Sequence, residues 1–239
     1  MLPTESVAVL APLEMIEQYV ANLADRIRLC EVTLYGSNRD FANPERDIDL
    51  FILAEGLSEY ASDCAGQLDV VLLPVEEARM RARLLDPLVT EPALTGRTVF
   101  GQRVVDPMEL ERSAEAKSVA AQHLVERGAE VLKWTDESLG DAIHIEAIGD
   151  QGLLDRILRN ASYAASYLTF SSWYRDGGRL ITLQELVEEF PRGLLAQVQR
   201  LRAIHPRSAP ATSGVLASLR RALTDWPEPG SNLIICLCL

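Results

Sequence analysis

Cysteine is scarce in this chain. Cys30, Cys64, Cys236 and Cys238 are its four, and none stands in the C-x-x-C spacing of a structural zinc site. Histidine is scarcer still: His123, His144 and His205 are dispersed, without the spacing of metal ligands. Positive charge is in deficit, with 23 Lys and Arg against 35 Asp and Glu and a net charge of −12, which disfavours general nucleic-acid binding because an acidic surface repels polyphosphate. No apolar run reaches the length of a membrane span, and MLPTESVAVLAPLE lacks the basic stretch that opens a secretory signal. These absences imply a soluble, cytoplasmic protein with no membrane partner. The last residues, 236–239, match a C-terminal prenylation pattern, which has meaning only in a eukaryote carrying the transferase. Hydrophobic residues at 48% and charged ones at 24% exclude a disordered chain, and 239 residues suit one α/β domain with a helical companion.

Apolar residues Leu13, Ile16, Val20, Leu23 and Ile27 recur at steps of three and four, predicting an opening helix that ends near Arg28. The period then falls to two in EVTLYGS, with Val32 and Leu34 on one face, and the run stops at Gly36-Ser37. After the polar loop NRDFANPER comes DIDLFIL at 47–53, where alternation puts Ile48, Leu50 and Ile52 on one face and Asp47, Asp49 and Phe51 on the other. A third strand, LDVVLLP at 68–74, carries Asp69 near its start, and TGRTVFGQRVV at 95–105 reads as an edge strand with a glycine-marked bend. The segment between them is mostly polar and rich in arginine. Beyond Pro107 the strand signals vanish and helical periodicity takes over, so the expected domains are 1–107 and 108–239. Helices are expected at 119–134, around Leu153 to Leu168, from Thr182 (an N-cap, with Glu185 in capping-box position) through Phe190, and at 193–204 and 213–226. The fold class is therefore α+β: a mixed β-sheet domain with flanking helices, followed by a helical bundle.

Magnesium is a hard cation that takes oxygen ligands, so carboxylates at i and i+2 on one strand face suit a pair of such ions beside a triphosphate. Asp47 and Asp49 have that spacing, and Asp69 offers a third carboxylate from the next predicted strand. Gly36 ends a strand where a backbone can approach phosphate without a side chain in the way, and the Ser37 hydroxyl can bond a phosphate oxygen. Arg39 and Arg46 stand in the following loop as candidates for a bidentate phosphate clamp. The order GS, nine residues, DID, and then a strand-borne Asp resembles the nucleotidyltransferase superfamily that includes DNA polymerase β, the aminoglycoside nucleotidyltransferases and the minimal nucleotidyltransferases. The resemblance is tight over 31–74 and architectural elsewhere. It implies a mixed-sheet core, a nucleoside triphosphate donor (ATP by family habit), two Mg2+ ions on Asp47, Asp49 and Asp69, and transfer of a nucleoside monophosphate to a hydroxyl. It also implies that Asp69 sits nearest the acceptor, as ligand or proton acceptor. The chain departs from the family where GS is often followed by an arginine-glycine turn, since Asp40 and Phe41 occupy those places.

The helical half loosely resembles the domain that accompanies minimal nucleotidyltransferases and the substrate-binding half of antibiotic-modifying enzymes. In RNASYAASYLTFSSWYRDGGRLITLQEL, residues Tyr163, Tyr167, Trp173 and Tyr174 suit either an acceptor pocket wall or packing between helices, and packing is the commoner use. Related nucleases follow such an arginine with a histidine a few residues on, and Arg159 has none, which counts against ribonuclease activity. Glu126, Glu130, Asp141 and Glu146 read as a solvated helix face. The expected reaction is transfer of AMP from ATP to a small hydroxylated acceptor such as an aminoglycoside-like antibiotic. The alternatives are nucleotidylation of a protein or RNA in a toxin-antitoxin-like system, and a catalytically idle antitoxin-like binding module. Pairing of two copies is a further expectation drawn from related enzymes.

Overall fold

The computed structural model describes residues 12–42, 47–65, 67–111, 114–144, 151–204 and 213–224. The chain divides into two compact units, Met1–Ala82 with Leu88–Glu109, and Arg83–Pro87 with Leu110–Leu239. The first is a mixed sheet with helices and the second is helical, so the fold class is α+β as the periodicities predict. Among the described residues no helix is long and apolar enough to cross a membrane.

In the first unit, α1 (Pro12–Ala24) leads into β1 (Arg28–Tyr35), followed by β2 (Ile48–Glu55), β3 (Ala61–Ala65) and β4 (Leu68–Pro74). Then come α2 (Val75–Arg83), α3 (Pro87–Thr95) and β5 (Arg97–Gly101). The sheet order is β3-β4-β2-β1-β5; β2 and β4 run parallel and every other neighbour pair is antiparallel. One face carries Val32, Leu34, Ile48, Leu50, Ile52, Leu68 and Val70, all buried with Ile16 of α1. Along β2 and β4 the opposite face changes character: Asp49 and Asp69 are half-buried, while Phe51, Leu53, Val71 and Leu73 further along are buried. The acidic groups therefore occupy one end of the apolar run on β2 and β4, and on β1 the same face carries buried Glu31 and Thr33.

Details of the first unit differ from the sequence expectation. Helix α1 stops at Ala24, short of Arg28, because the backbone turns at Asp25–Ile27, and Leu13 lies 52% exposed instead of joining the buried stripe. Strand β3 fills the connector between β2 and β4; ASDCA has no apolar alternation to announce it, and its order comes from pairing with β4. The polar, arginine-bearing stretch folds as α2 and α3, with Val75, Ala78 and Ala82 buried and Arg79 and Arg81 paired with Glu76 and Glu77 of the same helix. Helix α3 contains Pro92, and its end comes close to β1: a β-carbon on Gly96 would overlap Thr33 Cγ2 and lie 3.1 Å from the Leu34 carbonyl.

The second unit contains α4 (Ala114–His144), α5 (Gln151–Arg175), α6 (Leu183–Glu189), α7 (Leu194–Ile204) and α8 (Ser213–Thr224). Helix α4 is far longer than the predicted 119–134: its flanks are mostly polar in sequence, although its buried side continues past Trp134 through Thr135 and Leu139. Gly128 of α4 faces Leu168 and Ser171 of α5 donates to the Ala121 carbonyl, so the two helices run antiparallel in close contact. Thr182 and Glu185 form the predicted capping box. Trp226, expected at the end of the last helix, lies outside the described residues.

Candidate active site

The strand register brings Asp49 and Asp69 together. They are direct partners across the parallel β2–β4 ladder, and on the other side Asp49 faces Tyr35 of antiparallel β1. Tyr35, Asp49 and Asp69 thus form one row across three strands, with partner β-carbons only about 5 Å apart. Asp47 immediately precedes β2, two residues from Asp49. Tyr35 could not be recognised from the sequence, because its place in the row depends on which residue of β2 it faces.

Gly36 follows Tyr35 with φ +74°. A β-carbon on Gly36 would overlap Asp49 Oδ2 and lie 3.0 Å from Asp49 Cγ, so the carboxyl group occupies the volume a side chain would take. Ser37 is exposed beside it. Asn38 is buried, 3% exposed, and its carbonyl accepts from the Phe41 N–H at 2.9 Å, closing a turn. Phe41 has φ +58°, the left-handed conformation that glycine adopts most readily, and its ring is partly buried against the core under α1. The chain thus makes a glycine-like turn with phenylalanine, and packing of the ring offsets a backbone cost of about 1–3 kcal/mol.

Arg39 points to the end of α3, where its guanidinium donates to the Thr95 carbonyl, and it lies 3.7 Å from Asp40. Arg103 donates to the carbonyls of Ala93 at 3.1 Å and Gly96 at 2.7 Å. Two arginines therefore cap the C-terminal carbonyls of α3, where the helix dipole favours cations. Arg39 keeps other N–H donors beyond the one given to Thr95. Arg46, the second expected phosphate contact, lies outside the described residues.

The chemistry of the donor set fits magnesium, since Asp47, Asp49 and Asp69 offer only hard carboxylate oxygens. Their conformation is not that of a closed metal cage: among the described residues no three Asp, Glu, His or Cys side chains converge as a metal-holding group. The backbones of Asp49 and Asp69 are adjacent across the β2–β4 ladder.

The aromatic residues of the second unit are used in packing. Tyr167 and Tyr174 are 5% and 1% exposed, Phe170 and Tyr174 stack at 5.8 Å, and Trp173 meets Phe190 edge-on at 6.1 Å. The Tyr167 hydroxyl donates to Asp86 at 3.1 Å within the same unit. Tyr163 is partly buried against the same core. These contacts favour the packing reading of the aromatics over a pocket wall. Glu126 and Glu130 lie exposed on α4, as a solvated face requires. Glu146 and His205 lie outside the described residues.

No family model matches the chain, and no curated protein matches it in sequence. Among solved structures it is similar to a nucleotidyltransferase-like protein from Exiguobacterium sibiricum 255-15, over 88% of this chain and 74% of that one, with a TM-score of 0.38 and 11% identity. At that level of likeness neither an activity nor a site residue is carried across.

Proposed function

We propose that the chain is a metal-dependent nucleotidyltransferase that moves AMP from ATP to a hydroxyl of a small molecule, such as an aminoglycoside-like antibiotic, in the cytoplasm. The observation that supports it is the pairing of Asp49 with Asp69 across β2 and β4, beside the glycine turn that ends β1. Asp47, Asp49 and Asp69 would hold two Mg2+ ions, which when bound neutralise phosphate charge and favour in-line displacement. Gly36 and Ser37 would receive the triphosphate, and Arg39 would add a guanidinium donor at the rim. The acceptor oxygen forms a bond to the α-phosphorus, the bond to the β-phosphate oxygen breaks, and pyrophosphate leaves. Asp69 accepts the proton released by the acceptor hydroxyl. The net charge of −12 favours a cationic acceptor.

The test is calorimetric titration with ATP, GTP, CTP and UTP analogues in magnesium, on the wild type and on Asp47→Ala/Asp49→Ala. Magnesium-dependent binding lost in the double variant is the expected result, and transfer of labelled nucleotide to small acceptors or to protein then separates the two kinds of acceptor. A second reading is a catalytically idle, antitoxin-like binding module, against which the three aspartates Asp47, Asp49 and Asp69 argue. Well-folded wild type that binds no triphosphate would select it.

A further inference from the structure

Helix α3 has no basic residue in its own last turn. Its C-terminal carbonyls are met by guanidinium groups from two distant segments, Arg39 from the turn after β1 and Arg103 from the exit of β5. A helix end carries only about half a unit of negative charge, so one arginine already balances it and the second is in excess. Asp40 offsets Arg39 weakly, since it lies 3.7 Å away with its side chain 75% exposed. Two cations thus gather at one point of a chain whose net charge is −12.

Arg103 is held there by its neighbours. Gly101 has φ +75°, and a β-carbon on it would overlap the Cys30 carbonyl. The Gln102 N–H donates to that carbonyl at 3.1 Å, and the Val104 N–H donates to the buried Glu31 carboxylate at 2.7 Å. The backbone on both sides of Arg103 is therefore tied to β1, while its side chain spans to the carbonyls of Ala93 and Gly96. Those two bonds use one N–H of each terminal nitrogen, and a guanidinium has five to give. The α3 end also lies on the face that carries Asp49. A β-carbon on Gly96 would overlap Thr33 Cγ2, and Thr33 shares its side of β1 with Tyr35, the register partner of Asp49.

We infer that Arg103 is a second guanidinium for the phosphates of the nucleotide: with Arg39 it binds the two phosphates that leave as pyrophosphate. This rests on the nucleotidyltransferase reading and adds to that site a residue far along the chain from the Gly36-Ser37 turn. In the sheet order, Asp49 and Asp69 stand on β2 and β4, and the arginine pair stands on the side of β1 and β5. A triphosphate with its transferred phosphorus at the aspartates and its chain along the Gly36-Ser37 turn runs towards that pair. A planar guanidinium fork suits phosphate because it bonds two oxygens at once, and the tied backbone of Arg103 lowers the cost of ordering it.

Arg103→Gln tests this by thermal melting, Mn2+ titration through water-proton relaxation, and calorimetric titration with inorganic tripolyphosphate in saturating Mg2+. The expected variant is folded, binds Mn2+ as the wild type does and binds tripolyphosphate about tenfold more weakly, the scale of a lost hydrogen bond to a charged group. Folded Arg103→Gln with wild-type tripolyphosphate affinity overturns the inference and leaves the nucleotidyltransferase reading standing. Equal losses of Mn2+ and tripolyphosphate binding also overturn it, by making Arg103 a cap of α3 and nothing more. A wild type that binds neither tripolyphosphate nor an ATP analogue overturns both, and one that binds the analogue alone overturns the inference. Should Arg103→Gln fail to fold, Arg103→Lys decides, because it keeps the charge at the α3 end without the fork. A folded lysine variant with severalfold weaker tripolyphosphate binding is expected, and wild-type affinity or a second failure to fold overturns the inference.

Discussion

The two units use their buried and half-buried polar groups differently. In the helical unit they are bonded into the fold: Ser166 and Thr169 donate to carbonyls one turn back, Ser171 donates across to α4, Gln199 of α7 donates to Ser162, and Tyr167 donates to the fully buried Asp86. In the sheet unit Glu31 is treated likewise, its carboxylate accepting from Thr33 at 2.6 Å and from the Val104 N–H at 2.7 Å. Asp49 and Asp69 differ in placement, two half-buried carboxylates at facing register positions near the start of β2 and β4. Like charges so close oppose each other, which is a poor way to stabilise a sheet and a good way to attract a cation. On the proposed reading, the difference separates side chains that hold the fold from side chains that serve the reaction.

Asp49→Asn sharpens that contrast most. It is expected to weaken Mn2+ binding by more than about a hundredfold, roughly 2.7 kcal/mol, since loss of a ligand exceeds loss of its supporting groups. The melting temperature is expected to hold, and a large fall would break the comparison by making Asp49 a structural residue. Asp86→Ala is expected to do the reverse, lowering stability by about 1–3 kcal/mol in denaturant titration because it removes the acceptor of the buried Tyr167 hydroxyl. Asp86→Asn, which keeps an oxygen acceptor, should recover part of that loss.

Smaller effects test the periphery of each unit. Thr182→Ala removes the N-cap of α6 and should destabilise by about 1 kcal/mol. The Thr182 backbone N–H, bonded to Glu185, and then Arg179 hold the Glu185 carboxyl below its ordinary range. Its contribution is therefore present above the unfolded carboxyl pKa and is lost as pH falls through the lower folded value, and Glu185→Gln should flatten that acid limb in melts across pH. In the sheet unit, burial first and then the hydrogen bond to Asp63 push the Tyr19 phenol up to about 12. Tyr19 thus contributes stability in full below the unfolded tyrosine pKa of about 10 and loses it as pH rises through the folded value. Ultraviolet titration of phenolate should show this late tyrosine, and Tyr19→Phe should abolish it.

Much of this protein was determined by sequence alone. The period-two runs of β1, β2 and β4, the capping box at Thr182, and the change from strand to helical periodicity after Pro107 are local patterns, set by neighbouring residues along the chain. Alternation predicted Asp47 and Asp49 on one side of a strand, whereas β2 starts at Ile48 and Asp47 lies just before it. Only the tertiary structure decided that the short ASDCA segment becomes β3, that charged VEEARMRAR buries a thin apolar edge as α2, and that Arg39 is drawn to the end of α3. It also decided that Asp69 lies opposite Asp49 and that Asp49 fills the space above Gly36. Those relations join residues far apart in the chain, and no local pattern encodes them; the hydrogen-bonded register of the assembled sheet does.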